Sequence, residues 1–161
     1  MSTNPSRLIR AVLVGLALAL AACSTVSTRP PSSDGSIEPR GTARASGQRV
    51  VELALQQRGA PYRWGGEGPS EFDCSGFVRY VYAQVGVALP HNAAAQYKLG
   101  TPIPRDSLEP GDLVFFDRLR HNGIYIGDGR FIHARQTGKY VAVASLDDDW
   151  YRTHWVGGRR L

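Results

Sequence analysis

Apolar and polar positions divide the chain into a short apolar run, a polar segment and a longer region of mixed pattern. Residues 11–22 are apolar and follow Arg7 and Arg10. This run is shorter than the about 20 residues that a membrane-spanning helix needs, and its basic start and small-residue end are typical of a secretory signal. Residues 24–45 are rich in Ser, Thr, Pro and Gly and have no apolar period, which predicts a flexible tether.

Apolar residues at helical spacing begin after Ser46, a suitable N-cap. They predict a first helix that begins near Ser46 and stops before Gly59. A second helix is expected over residues 74–86, because its apolar positions fall on one face and Gly86 ends the pattern. A third, shorter helix is expected over residues 91–99.

Short apolar runs replace the helical spacing after residue 100, where several prolines first predict a loop. Strands are expected over residues 112–117, 121–127, 130–134, 139–144 and 155–160. Asp128-Gly129 is a strong signal for a two-residue hairpin turn between the second and third of these strands. The acidic residues 147–149 predict the start of a short helix. Helices followed by an antiparallel sheet predict an α+β domain.

The composition is that of one ordinary globular domain. The chain has 161 residues, of which 42% are hydrophobic and 20% are charged. Its net charge of +5 is not gathered into a basic run, so we expect no nucleic-acid partner. We also expect a monomer. The predicted organisation is a signal peptide over residues 1–22, a modified cysteine and tether over 23–45, and a catalytic domain over 46–161.

Two cysteines, Cys23 and Cys74, have different contexts. The string Leu20-Ala21-Ala22-Cys23 resembles the lipobox of bacterial lipoproteins, which implies cleavage before Cys23 and acylation of that residue. Lipid chains of this kind give stable membrane anchoring, and Ser24 suits passage to the outer membrane, so we expect an exported, lipid-anchored protein at the periplasmic face. The alternative is ordinary cleavage that leaves Cys23 as a plain thiol.

Cys74 is left without an intramolecular partner if lipid occupies Cys23. A lone thiol in an oxidising compartment suggests a chemical use, although a buried inert thiol is the alternative. Cys74 begins a predicted helix, where backbone N–H groups and the helix dipole favour the thiolate. A thiol nucleophile also needs a base, and histidine is the usual one.

His121 and His133 are the candidate partners, but a simple hairpin does not bring them together. A two-residue turn at Asp128-Gly129 places His133 opposite Ile124, and therefore on the face of the sheet opposite to His121. A β-bulge or a different loop register would place both histidines on one face. The sequence leaves this question open.

Four strings in the same order carry a family resemblance. They are Asp73-Cys74-Ser75-Gly76-Phe77, Pro110-Gly111-Asp112-Leu113-Val114-Phe115-Phe116, His121-Asn122-Gly123-Ile124-Tyr125-Ile126-Gly127 and Phe131-Ile132-His133-Ala134. From residue 48 onward the chain resembles the NlpC-type (NlpC/p-sixty) family of cell-wall cysteine peptidases, in particular its lipoprotein murein endopeptidases. The resemblance implies a compact papain-like fold with N-terminal helices packed on a central antiparallel sheet. It also implies hydrolysis of peptide bonds in the stem peptides or cross-links of peptidoglycan.

The roles of four residues follow from the resemblance. Cys74 corresponds to the nucleophile, His121 to the general base, and His133 to the polar residue that orients His121. Tyr62 corresponds to the tyrosine beside the oxyanion hole, where the backbone N–H of Cys74 is a second donor. No cofactor and no metal is expected.

Four further positions bear on substrate contacts. Asp73 and Ser75 flank the nucleophile and are expected at the substrate. Asn122 and His91 depart from the family pattern, which usually has a small apolar residue after the base and often an arginine at the position of His91. These departures put the local strand and the substrate contacts in question.

Three other functions use the same residues. Cys74, His121 and His133 are also a possible Cys-His-His zinc site. The domain could instead be a non-catalytic peptidoglycan-binding scaffold lipoprotein, or a thiol acyltransferase on the same fold. The intact set of one cysteine and two histidines disfavours a pure binder. The bond that is cut is not given by the sequence, although a small lipid-tethered enzyme weakly favours the opening of cross-links.

Overall fold

The computed structural model describes residues 39–161, with side chains from Ser46 onward. The predicted signal peptide, the predicted lipidation site Cys23 and most of the predicted tether lie outside these residues. Within residues 39–161, none of the helices has both the length and the apolar character needed to cross a bilayer.

Four helices and one six-stranded sheet form the domain. The helices are α1 (Pro39–Gln56), α2 (Cys74–Ala83), α3 (Ala93–Gln96) and α4 (Asp149–Thr153). The strands are β1 (Thr101–Ile103), β2 (Leu113–Phe116), β3 (His121–Gly127), β4 (Arg130–Ala134), β5 (Val141–Ser145) and β6 (Trp155–Arg160). Their order across the sheet is β1-β6-β2-β3-β4-β5, with antiparallel pairing throughout. The predicted α+β class is confirmed.

The two faces of the sheet are buried by different elements. One face, here called the helical face, packs against α1 and α2 through a buried cluster that includes Leu53, Phe77, Val81, Phe115, Ile124 and Ile132. The other face, here called the α4 face, carries a smaller cluster of Val114, Phe116, Phe131, Leu146 and Tyr151. Full burial of a large apolar side chain contributes about 1.5–3 kcal/mol, so these two clusters provide most of the driving force for folding.

The differences from the predicted elements include a helix start, a shortened helix and a missed strand. The first helix begins at Pro39 rather than near Ser46, because proline suits the first position of a helix, and the end of the predicted tether is therefore helical. The third helix is confined to Ala93–Gln96, where Asn92 caps it by accepting the N–H of Ala95 at 2.9 Å. The proline-rich segment predicted as a loop contains β1, in which Pro102 is tolerated because the strand lies at the edge of the sheet.

The segment after α1 covers the opposite edge of the sheet at the start of β5. The N–H of Gly59 donates to the carbonyl of Val141 at 2.9 Å, and the N–H of Val141 donates to the carbonyl of Ala60 at 2.8 Å. The N–H of Tyr62 donates to the carbonyl of Lys139 at 2.9 Å. These bonds fix residues 59–62 beside the sheet and thereby position the backbone of Tyr62.

The hairpin between β3 and β4 contains an irregularity as well as the predicted turn. Asp128 and Gly129 have φ values of 52° and 68°, which suit a two-residue turn of the primed type. Gly127 pairs with Arg130, but Tyr125 pairs with Phe131, so the register shifts within β3. Ile126 is the extra residue of this β-bulge.

The bulge settles which face each histidine occupies. Beyond it, Ile124 pairs with Ile132, which places His133 opposite Gly123 instead of Ile124. A Cβ atom added to Gly123 would lie 3.0 Å from the Cβ of His133. His121 is two residues from Gly123 and therefore shares its face. Both histidines lie on the α4 face because of one extra residue.

Candidate active site

Cys74 is fixed at the first position of α2 by the capping of that helix. The carboxylate Oδ1 of Asp73 accepts the N–H of Gly76 at 2.7 Å, as expected for an N-cap residue. A Cβ atom on Gly76 would overlap the carbonyl oxygen of Gly66, so only glycine lets the helix start approach the preceding loop this closely. The Asp-Cys-Ser-Gly string therefore encodes a tightly seated helix start with the thiol at its tip.

Asp73 and Ser75, both predicted at the substrate, are engaged by protein groups. They are 8% and 7% exposed, and the Ser75 hydroxyl donates to Asp73 Oδ1 at 3.0 Å. Asp73 Oδ2 accepts the N–H of Gly65 at 3.1 Å and lies 2.7 Å from Nε2 of His91. The other ring nitrogen of His91 lies 2.6 Å from Glu67 Oε1. His91 thus bridges two carboxylates, and substrate contact by Asp73 and Ser75 stays a prediction.

The thiol of Cys74 lies against the start of β3. Its Sγ is 3.8 Å from the carbonyl oxygen of Arg120. Burial, followed by the nearby carboxylate of Asp73, raises the pKa of Cys74 to about 11, although the N–H groups of Asn122, Ser75 and Cys74 itself act in the opposite direction. The N–H groups at the helix start do favour the thiolate, as expected, but burial and the Asp73 carboxylate outweigh them. At neutral pH the group is a thiol that needs a base.

His121 and His133 form a directly bonded pair. Nε2 of His121 lies 2.6 Å from Nδ1 of His133, and the ring planes are inclined at 75°. Burial lowers the pKa of His121 to about 4, with an opposing effect from Asp117 and a further lowering from Arg135. Burial, then His121 and Arg135, hold the pKa of His133 well below its ordinary value. Both imidazoles are therefore neutral at pH 7.

Tyr151 extends this pair, a contact that no sequence pattern predicted. Its hydroxyl lies 3.2 Å from Nε2 of His133, and the residue is only 6% exposed. Arg135 lines a cavity together with His121 and Tyr151. Burial raises the pKa of Tyr151, and the charge of Arg135 acts in the opposite direction with a smaller effect. Tyr151 lies on α4, whose start the acidic run predicted, but no pattern relates α4 to His133. The structure thus forms a hydrogen-bonded row of three side chains from Tyr151 to His121.

Cys74 lies where two open cavities meet. One, of about 560 Å³, is lined by Cys74, His121, Tyr62, Trp150 and Tyr151 among others, and is called here the His121 cavity. The other, of about 550 Å³, includes Cys74, Asp73, Ser75 and His91, and is called the His91 cavity. Trp64 borders both cavities and is 85% exposed. The two cavities therefore form one cleft that extends to both sides of the Cys74 thiol, and Trp64 lies between the cavities.

Tyr62 lines the His121 cavity together with Cys74. Burial, then the charges of Cys74 and Asp73, raise the pKa of Tyr62. Its phenol therefore stays protonated over the neutral range and can donate a hydrogen bond into the cavity. This position agrees with a donor beside an oxyanion hole, the role that the resemblance implied.

A shared metal does not fit the arrangement of the two histidines. The facing nitrogens of His121 and His133 are bonded to each other, so they do not converge on a common point that includes Cys74. Within the part of the chain that the structure describes, no group of three or more His, Cys, Asp or Glu residues is arranged to hold a metal ion.

Comparison with known proteins identifies the sequence pattern and the fold. Residues 59–160 match the profile of the NlpC/P60 family. The chain is 40% identical over 131 residues to the murein DD-endopeptidase MepH of Escherichia coli strain K12, covering 73% of this chain and 48% of that protein. It is 46% identical over 114 residues to a probable endopeptidase of Mycobacterium tuberculosis strain H37Rv, covering 69% of this chain and 29% of that protein. The chain thus spans half or less of these relatives.

Among solved structures, the NlpC/P60 domain of the peptidoglycan hydrolase SagA superposes with a TM-score of 0.66 at 38% sequence identity. The match covers 71% of this chain and 98% of that domain. The helices packed on an antiparallel sheet are therefore those of this domain type, as the sequence predicted.

Proposed function

The chain belongs to the NlpC/P60 family, and from that membership we propose that residues 46–161 are a cysteine peptidase domain that hydrolyses peptide bonds in peptidoglycan. The observation that carries the proposal is the bonded pair of His121 and His133 in the same cleft as the Cys74 thiol. A chain that only bound the wall would have no need for a buried imidazole pair beside a thiol, since burial of such groups costs stability.

The proposed reaction begins with proton transfer from Cys74 to His121. Nε2 of His121 is bonded to His133, which leaves Nδ1 as the nitrogen that takes the proton. The sulfur attacks the scissile carbonyl carbon, and the resulting oxyanion accepts hydrogen bonds from the Cys74 N–H and the Tyr62 hydroxyl. Protonated His121 then gives its proton to the leaving amine, and a thioester remains on Cys74. A water molecule, deprotonated by His121, hydrolyses the thioester and restores the thiol.

The tautomers that this reaction requires are compatible with the hydrogen bonds that connect His121, His133 and Tyr151. A bare Nδ1 on His121 means that its Nε2–H donates to Nδ1 of His133. The proton of His133 is then on Nε2, from which it donates to the Tyr151 oxygen. The two imidazole N–H groups of the pair therefore each have an acceptor.

Replacement of the nucleophile tests the proposal. Cys74→Ala should reduce the release of muropeptides from purified sacculi by roughly 10³-fold or more, because only binding and the oxyanion donors would remain. Thiol alkylation of the unaltered protein should have the same effect while binding to sacculi persists. Release by Cys74→Ala at the rate of the unaltered protein would exclude Cys74 as the nucleophile.

The proposed bond is the cross-link between two stem peptides. The support is the similarity to a relative named as a DD-endopeptidase, together with a cleft that continues on both sides of Cys74. Mass spectrometry should show that a cross-linked dimer is converted to two monomers while a linear stem peptide stays intact. Cleavage of the linear stem between D-glutamate and the diamino acid would contradict this specificity.

The proposed location is the periplasmic face of the outer membrane, through lipid on Cys23. The support is the lipobox-like string that ends at Cys23, followed by Ser24. Labelled fatty acid should be incorporated into the unaltered chain and absent from a Cys23→Ser variant, which should leave the membrane fraction. Equal labelling of both chains would refute acylation at this residue.

A further inference from the structure

Two buried primary amides lie directly behind the start of β3. Asn122 follows His121 and points to the helical face, and Gln96 is the last residue of α3. Both side chains are fully buried, with 0% exposure. Phe115 pairs with Asn122 on the neighbouring strand, so the amides lie beside the apolar core. Polar groups are buried at such a place only with hydrogen bonds, and those bonds show what the two amides connect.

The amides form a continuous bridge between two elements. Nδ2 of Asn122 donates to Oε1 of Gln96 at 2.6 Å. Nε2 of Gln96 donates to the carbonyl of Ser75 at 3.0 Å and to the carbonyl of Pro90 at 2.8 Å. Ser75 is in the first turn of α2. The bridge thus runs from the nucleophile's helix to the strand of the base.

The orientation of both amides is fixed by these bonds. Gln96 faces two carbonyl oxygens with its nitrogen, so its oxygen must face Asn122. Asn122 must then present its nitrogen, and its Oδ1 is buried without a partner from the described residues. An orphaned oxygen is unfavourable for stability, so the pair is not arranged for stability alone.

The bridge ends one residue from each reacting group. Ser75 follows Cys74, and Asn122 follows His121, while the backbone N–H of Asn122 acts on the Cys74 thiol and favours its thiolate form. We propose that Gln96 and Asn122 are positioning residues that hold the Cys74 thiol in register with His121 and with the Asn122 N–H. This inference rests on the proposed peptidase function for its rate consequences, but not for its effect on the thiol.

Apolar replacements of nearly equal shape separate positioning from stability. Gln96→Met and Asn122→Leu each leave one amide without its partner, whereas the double variant removes both amides. The double variant should have a higher urea midpoint than Gln96→Met, because it removes the Asn122 amide that is left unmatched there. The carbonyls of Ser75 and Pro90 lose the Gln96 donor in both proteins. The kcat of the double variant on cross-linked muropeptides should stay about 10-fold or more below that of the unaltered protein, with KM changed less than about 3-fold.

Alkylation of Cys74 provides a second measurement that needs no substrate. The full-length chain is treated with iodoacetamide across the pH range, and the Cys74 peptide is quantified by mass spectrometry. In Gln96→Met and in the double variant, the alkylation profile should move to higher pH, because the N–H of Asn122 no longer supports the thiolate. Gln84→Leu is the matched control, since Gln84 is an exposed amide at the far end of α2 that donates to the carbonyl of Tyr80 on the same helix at 3.4 Å.

The outcomes distinguish the two proposals. Recovery of kcat in the double variant, with an unchanged alkylation profile, would overturn the positioning role. A shifted profile in a protein that does not hydrolyse peptidoglycan would contradict the proposed function and leave the positioning role intact. If the double variant does not fold, Gln96→Met alone decides between a shifted and an unshifted profile, since its side chain fills nearly the same space.

Discussion

Tyr151 connects the candidate catalytic pair of His121 and His133 to helix α4. In the proposed reaction the Tyr151 oxygen accepts the Nε2–H of His133. Nδ1 of His133 is then unprotonated and accepts the hydrogen bond from His121. Tyr151 therefore influences His121 without touching the substrate bond, which makes it a positioning residue.

Removal of the Tyr151 hydroxyl should lower the rate selectively. In Tyr151→Phe, His133 loses its acceptor and populates both tautomers, so we expect kcat to fall roughly 10-fold, a difference of about 1.4 kcal/mol. The free energy of unfolding should fall by about 1 kcal/mol. Steady-state kinetics on cross-linked muropeptides and urea unfolding measure the two effects. Tyr140→Phe is the control, because Tyr140 is 59% exposed; an unchanged kcat in Tyr151→Phe would contradict this role.

Site residues within contiguous sequence motifs could be predicted from the sequence. Residues that contact the site only in the folded structure could not. Cys74 and His121 stand in contiguous strings whose order indicated their roles. Tyr151 bonds to a residue 18 positions away, and Gln96 bonds to one 26 positions away, with no motif at either end. The pKa of Cys74 was also inaccessible, because burial and a neighbouring carboxylate depend on the folded surroundings.

At the scale of elements, one inserted residue in β3 decides whether the site exists. The sequence indicated the turn at Asp128-Gly129 correctly but gave no sign of the bulge, since Ile126 continues the apolar pattern of the strand. A one-residue change of register reverses the face of every side chain beyond it. Similarly, β1 was missed because its proline suits a loop and an edge strand equally.

Gly123 should be intolerant of any side chain because of its position opposite His133. In Gly123→Ala, the new Cβ would lie 2.7 Å from the carbonyl oxygen of Ile132 and 3.0 Å from the Cβ of His133. Since His133 must move, we expect roughly a 100-fold loss of kcat/KM and about 1–3 kcal/mol of lost stability.

The matched control is Gly86→Ala, which adds a methyl group where φ is 81° but where no atom lies within 4 Å. It should lower the urea midpoint through backbone strain and leave kcat/KM of the folded protein unchanged. Full activity of Gly123→Ala would show that the β3–β4 pair can separate without harm to the histidines.

At the scale of the whole molecule, the buried titratable groups limit the pH range of stability from both sides. The pKa values of His121 and His133 are lowered in the folded state, so the unfolded chain binds protons more readily as pH falls. Their contribution is complete above about pH 6.5 and is lost toward pH 4. The pKa of Cys74 is raised from 9.0 to about 11, so stability also declines as pH rises through that interval.

Urea midpoints measured from pH 4 to pH 10 should therefore be highest between about pH 6.5 and 9. Each unit of pKa difference is equivalent to about 1.4 kcal/mol, so the acid decline should be easily measured. In His133→Gln the acid decline should be shallower, whereas in His154→Gln, at an exposed position, it should be unchanged. A midpoint that is constant between pH 7 and pH 4.5 would contradict the burial of neutral imidazoles.

The segment over residues 59–62, which pairs with β5, has a consequence for self-association. An unpaired edge strand is a template for the strands of other molecules. Here residues 59–62 cover the start of the β5 edge, and Pro102 removes a backbone donor from the β1 edge. Strand addition is thus hindered at the start of β5 and along β1, and the backbone bonds that cover the start of β5 also hold Tyr62 at the cleft.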